Sequence, residues 1–187
     1  MEKLTLNSTG KEERYIEILP QIKSIVSSES DTIANLANVA AILKEAFGFF
    51  WVGFYLVKKA ATNTGNGQVS TEYSEEKELV LGPFQGPLAC TRIKYGRGVC
   101  GSAWKEARTI VVPDVEQFPG HIACSSLSRS EIVVPIFKQI KQETTSNNGN
   151  KREVIAVLDI DSKELNTFDR VDSEQLEKLS MILEDFF

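Results

Sequence analysis

Histidine occurs once in these 187 residues, at His121, and cysteine three times, at Cys90, Cys100 and Cys124. No two cysteines have Cys-x-x-Cys spacing, and one histidine leaves a zinc site short of ligands, so no metal is expected. A secreted disulfide scaffold would carry a larger, even set of cysteines. Basic charge is also scarce. The 21 Lys and Arg against 26 Asp and Glu give a net charge of −5, the wrong sign for sequence-independent nucleic-acid binding. Apolar runs are only a few residues long, far below the ~20 needed to span a bilayer. The polar start, residues 1–10, has no apolar signal core. The expectation is a soluble cytoplasmic protein with no nucleic-acid or membrane partner, whose three cysteines are either inert core thiols or redox groups.

Against these absences stands a hydrophobic fraction of 42%, enough for a proper core at a length where roughly 70% of the chain's surface can be buried. The length suits one domain over residues 1–187, with residues 1–12 as a flexible tail. No internal repeat is visible.

Periodicity supplies the elements. Ile16, Leu19, Ile22 and Ile25 have helical spacing, weakened by Pro20. Ile33, Leu36, Val39, Ala40, Leu43 and Phe47 form a clearer stripe, with Ser30 or Asp31 as cap and Gly48 as stop. Residues 49–57 are a strand rich in aromatics. Residues 60–76 are polar and read as a loop, followed by strands at 77–81 and 92–95. Gly98 opens a short helix over 99–107, and residues 109–112 form a strand stopped by Pro113. Residues 114–129 are a loop. Residues 131–138 and 153–161 are the strongest strands, joined by a long hairpin turn. Asp172 is the expected cap of a last helix burying Leu176, Leu179, Ile182, Leu183 and Phe186. With no βαβ alternation, the order implies an α+β fold: a mainly antiparallel sheet with helices packed on one face.

Candidate chemistry lies in a few places. Cys100 sits in the first turn of the glycine-opened helix, where the dipole favours thiolate. Cys124 lies in the long loop, the most exposed setting of the three. Asp159 and Asp161 share one strand face about 6.6 Å apart, either at a wet strand end or in a pocket that holds an ammonium group. Glu131 opens the neighbouring strand. Trp51 and Tyr55 sit at strand spacing, where aromatics are usually core, although one facing a pocket could pack on a thioether methyl or a cation. His121 reads as a loop histidine bonded to backbone.

Taken in order, the motifs Leu81-Gly82-Pro83-Phe84-Gln85-Gly86, Ala89-Cys90, Gly96-Arg97-Gly98-Val99-Cys100-Gly101, Val112-Pro113-Asp114-Val115, Phe118-Pro119-Gly120-His121-Ile122-Ala123-Cys124, Ser130-Glu131-Ile132-Val133-Val134-Pro135 and Leu158-Asp159-Ile160-Asp161 resemble the free methionine-(R)-sulfoxide reductases, which are GAF-domain enzymes. The resemblance runs from Trp51 to the C-terminus and holds all three cysteines. It implies a GAF domain with a six-stranded antiparallel sheet flanked by helices. It also implies thiol-dependent reduction of free methionine-(R)-sulfoxide with no cofactor. Cys124 would be the nucleophile, Cys90 the resolving cysteine and Cys100 an auxiliary one. Glu131, Asp159 and Asp161 would be the active-site carboxylates, Trp51 the aromatic wall, and Asp114 a further binding residue; we add Tyr55, on the same strand, as a substrate-binding candidate.

The expected partners are the free sulfoxide, thioredoxin or a related dithiol, and a second copy in a homodimer. The helix dipole favours Cys100 and the resemblance favours Cys124; we follow the resemblance, because a closing pocket needs an exposed loop. The rival readings are a GAF ligand-binding module without turnover and a thiol redox sensor.

Overall fold

Helix α1 (Lys11–Ser27) runs through Pro20 and buries Tyr15, Ile18, Ile22 and Val26. This is not the expected stripe: Ile16 is 60% exposed. Tyr15 sets the rotation, because its ring packs on Phe47 and its hydroxyl donates to Asp172 at 2.9 Å. Helix α2 (Thr32–Phe47) is capped by Asp31, which accepts from the Ala34 N–H at 2.8 Å. Gly48, at φ 69°, closes it in the left-handed conformation that glycine adopts without strain.

This structure is a computed structural model and describes residues 4–63, 69–121, 125–140 and 151–187. Its strands are β1 (Trp51–Asn63), β2 (Val69–Gln85), β3 (Arg92–Lys94), β4 (Ile110–Val112), β5 (Ser130–Ile140) and β6 (Lys151–Ser162). They form a six-stranded sheet in the order β3-β2-β1-β6-β5-β4, and every neighbouring pair is antiparallel. Helix α3 (Gly98–Glu106) follows β3, and helix α4 (Arg170–Leu183) runs into a one-turn 3-10 helix, Glu184–Phe186.

The sheet is buried on both faces over its centre. Val52, Phe54, Ile132, Val134, Leu158 and Ile160 meet α1, α2 and α4. Trp51, Tyr55, Val133 and Val157 meet Val99, Cys100 and Ala103 of α3. Strands buried on both faces read as continuous apolar runs, as residues 132–136 and 154–158 do. Three helices therefore pack on one face as expected, and α3 lies on the other.

Several local expectations are corrected. The polar stretch 60–76 contains pairing that continues to Ala61↔Tyr73 and Asn63↔Val69, because the backbone hydrogen bonds of a strand pair need no apolar pattern. The β5–β6 ladder likewise extends to Ile140↔Lys151, and residues 141–150 lie outside the described ones. The cap of α4 is Asp169; Asp172 is its partner in a capping box, bonding back to the Asp169 N–H at 2.9 Å. The N-terminal segment is anchored from residue 4: Leu4 and Leu6 pack on the core, and Glu17 accepts from the Asn7 N–H at 2.9 Å and the Ser8 hydroxyl at 2.7 Å.

Candidate active site

Register brings the acids together. On β6, Asp161 lies between Trp51 of β1 and Glu131 of β5, and Asp159 lies between Gly53 and Val133. These residues share the sheet face that α3 covers, so three carboxylates from two strands converge under one helix. Glycine at position 53 is required here. A Cβ would fall 2.3 Å from the Trp51 ring and 2.5 Å from the Phe84 Cβ. The space left lets the Trp51 indole stack between Phe84, at 5.4 Å, and Tyr55, at 6.1 Å. Both aromatic residues then hold the segment that carries Cys90. The Trp51 Nε1–H donates to the Pro87 carbonyl at 3.1 Å, and the Tyr55 hydroxyl donates to the Cys90 carbonyl at 2.9 Å. Cys90 is disulfide-bonded, while Cys100 is a free thiol.

The thiol and the acids are in direct contact. Cys100 Sγ stands 3.9 Å from Glu131 Oε1, and the ligating atoms of Cys100, Glu131 and Asp159 all lie within 4.8 Å of one another. Glu131 and Asp159 are each only 6% exposed, and Asp159 Oδ1 has no hydrogen-bond partner. Asp161 is half-buried and accepts from the Ser128 hydroxyl. Burial, and then the neighbouring carboxylates, hold Glu131 and Asp159 well above the usual carboxylate range. Burial pushes Asp161 up to about 6, against the lowering effect of Ser128.

The start of α3 does not make Cys100 a thiolate. Burial, and then the charges of Asp159 and Glu131, push its thiol well above the usual range, in the direction opposite to the helix dipole. A pocket of this kind holds protons near neutral pH, binds a cation, and presents an acid to a leaving group.

Of the residues singled out from sequence, Trp51, Tyr55, Cys100, Glu131, Asp159 and Asp161 line this single pocket. Cys90 borders it through its bond from Tyr55, and Cys124 lies outside the described residues. Asp114 is not brought in. Its carboxylate caps the one-turn 3-10 helix Val115–Gln117, accepting from the Glu116 N–H at 3.1 Å and Gln117 Nε2 at 2.8 Å. Phe50 and Ser128 also line the pocket and were not anticipated, since a lone serine or phenylalanine carries no local signal. His121 lines it too; its Nδ1 is buried without a partner, and burial lowers its pKa.

The family model described as GAF domain matches residues 31–184. GAF domain-containing protein A of Dictyostelium discoideum is 51% identical over 184 residues, which is 98% of this chain and 99% of that one. The free methionine-R-sulfoxide reductase of Saccharomyces cerevisiae is 36% identical over 182 residues, covering 95% of this chain and 87% of its own. Among solved structures, a free methionine-R-sulfoxide reductase from Neisseria meningitidis in complex with its substrate is 51% identical. It superposes with a TM-score of 0.82 over 100% of this chain and 96% of that one.

Proposed function

The chain belongs to the GAF-domain family and, within it, to the free methionine-R-sulfoxide reductases, and from this we propose how its pocket reduces the free sulfoxide. One observation carries the reading: three carboxylates are gathered in a pocket walled by Trp51 and Tyr55. A free amino acid brings an ammonium that two of them can neutralise, and a sulfoxide oxygen that needs a proton as it leaves. The aromatic wall suits the thioether methyl.

In the proposed sequence, Cys124 attacks the sulfoxide sulfur. The oxygen passes to the cysteine as a sulfenic acid, methionine departs, and a protonated carboxyl of the cluster supplies the proton. Cys90 then condenses with the sulfenic acid, releasing water and forming a disulfide. Thioredoxin or a related dithiol returns both thiols by exchange. Support comes from the cysteine inventory: Cys90 is disulfide-bonded and Cys100 is free, and Cys124 is the remaining cysteine in the sequence. A cytoplasmic setting and pairing as a homodimer belong to the same proposal, the latter checked by sedimentation. Among the described residues no helix is long and apolar enough to cross a membrane.

The test compares free methionine-(R)-sulfoxide with its N-acetyl derivative, using dithiothreitol as reductant and methionine as readout. The acetylated compound lacks the ammonium, so the carboxylates lose their partner. Breaking such a buried pair typically costs about 3–5 kcal/mol, a factor of hundreds or more. Rapid turnover of the free sulfoxide and almost none of the derivative is expected. Equal rates would overturn the ammonium assignment, and turnover of neither would favour a ligand-binding module.

A further inference from the structure

The buried trio Cys100, Glu131 and Asp159 has a use that sulfoxide reduction does not require. A sulfur and two carboxylate oxygens lie within 4.8 Å of one another, contributed by α3, β5 and β6. Zinc bonds to sulfur at about 2.3 Å and to oxygen at about 2.0–2.2 Å, which places tetrahedral sulfur and oxygen ligands somewhat over 3 Å apart. The Cys100–Glu131 separation of 3.9 Å is close to that, and the remaining separations, within 4.8 Å, shorten by about 1 Å through side-chain rotation to reach it. A second observation points to a ligand. Asp159 is 6% exposed, yet its Oδ1 has no partner, and a buried polar atom left without one is costly. Half-buried Asp161 and Ser125 line the same pocket.

We propose that Cys100, Glu131 and Asp159 form a three-ligand site for a thiophilic divalent cation such as Zn²⁺, with a fourth position open to water. Binding is an exchange without redox change. Metal–sulfur and metal–oxygen bonds form, while the Cys100 thiol proton and any carboxyl protons leave to solvent. The bound cation takes the carboxylate charge that an ammonium ligand would use, so zinc and such a ligand exclude one another. Zinc is therefore a reversible inhibitor of the pocket, not a cofactor of it. One and the same cluster answers to redox chemistry and to free zinc.

The experiment uses the untagged, oxidised full chain, in which Cys100 is the free thiol, with Co²⁺ alone as the probe. One Co²⁺ per chain is expected, with a sulfur-to-cobalt charge-transfer band in the near ultraviolet. Zn²⁺ should abolish the band and Mg²⁺ in excess should not. Cys100→Ala should remove the band and weaken binding on the order of a hundredfold or more, since even an outer-shell change costs roughly 10–100-fold. Glu131→Gln and Asp159→Asn should each weaken binding by at least about tenfold. Circular dichroism checks that each variant is folded. Cobalt bound to the wild type without the band, unchanged affinity in folded Cys100→Ala, or displacement by Mg²⁺ would each overturn the site. The band is read on the wild type, so the test stands even if a variant fails to fold.

Discussion

Asp161 shows how an individual residue trades stability for use. Burial raises it from 3.8 to about 6, so between those values the folded chain binds more protons than the unfolded one. A group raised in this way contributes stability that is fully present below about pH 4 and is lost as pH rises through 6. Asp161→Asn has no charge to lose. The variant should therefore gain on the wild type between pH 4 and 7, by up to about 3 kcal/mol, while methionine sulfoxide turnover falls strongly. Melting temperatures of both proteins at the two ends of that range check this; an equal difference at both ends would show that ionising Asp161 costs nothing.

In the proposed scheme the cysteines divide the reaction at the same scale. Cys124→Ser should abolish methionine release, leaving no more than a few per cent of the wild-type rate. Cys90→Ser should still release about one methionine per chain in a single turnover, because chemistry precedes resolution. A Cys90→Ser protein with no such burst would show that Cys90 acts earlier than in the proposed scheme.

At the scale of the element, β1 matters because it carries the aromatic wall and leaves room for it. A methyl at position 53 would meet the Trp51 ring and the Phe84 Cβ at 2.3 and 2.5 Å, both held by stacking and neither a flexible chain end. Overpacking of this kind typically costs about 1–3 kcal/mol. Displacing the indole also disturbs the Trp51–Pro87 bond and hence the segment leading to Cys90. Gly53→Ala should lower kcat/KM at least roughly tenfold, given that a misplacement near 1 Å can cost about a hundredfold, and should lower the melting temperature as well. Unchanged kinetics in a destabilised protein would mean that the ring's position is not what the pocket needs.

Across the whole molecule, the core under α1, α2 and α4 and the proposed site lie on opposite faces of one sheet. Leu4 and Leu6 pack on the core formed with α1, α2 and α4, whereas the acids face α3 and its Cys100. Removing residues 1–9 exposes two partly buried leucines, about 1–2 kcal/mol of burial. A chain of this size loses roughly 2–4 °C in melting temperature per kcal/mol. The shortened chain should therefore melt about 2–8 °C lower with kcat/KM unaltered. A loss of activity at temperatures where it remains folded would show that the two faces are coupled.

The sequence alone determined the antiparallel α+β sheet, the stripe of α2 except for its first member Ile33, which is 49% exposed, and the central strands, because apolar burial imposes a local period on each. It also placed Asp159 and Asp161 on one face, since side chains alternate along any strand. It did not determine the rotation of α1 or the cap of α4; both depend on Tyr15 and Asp172 meeting across a distance of 157 residues. Nor did it reveal that Asp114 is spent on a local cap. Only the tertiary structure put Glu131 opposite Asp161 and set Cys100 against both Glu131 and Asp159. That contact and the burial around it push the thiol up, opposite to the direction expected from the helix dipole. The electrostatics of a group follow from what surrounds it in space, and the strand register and the packing of α3 decide those surroundings.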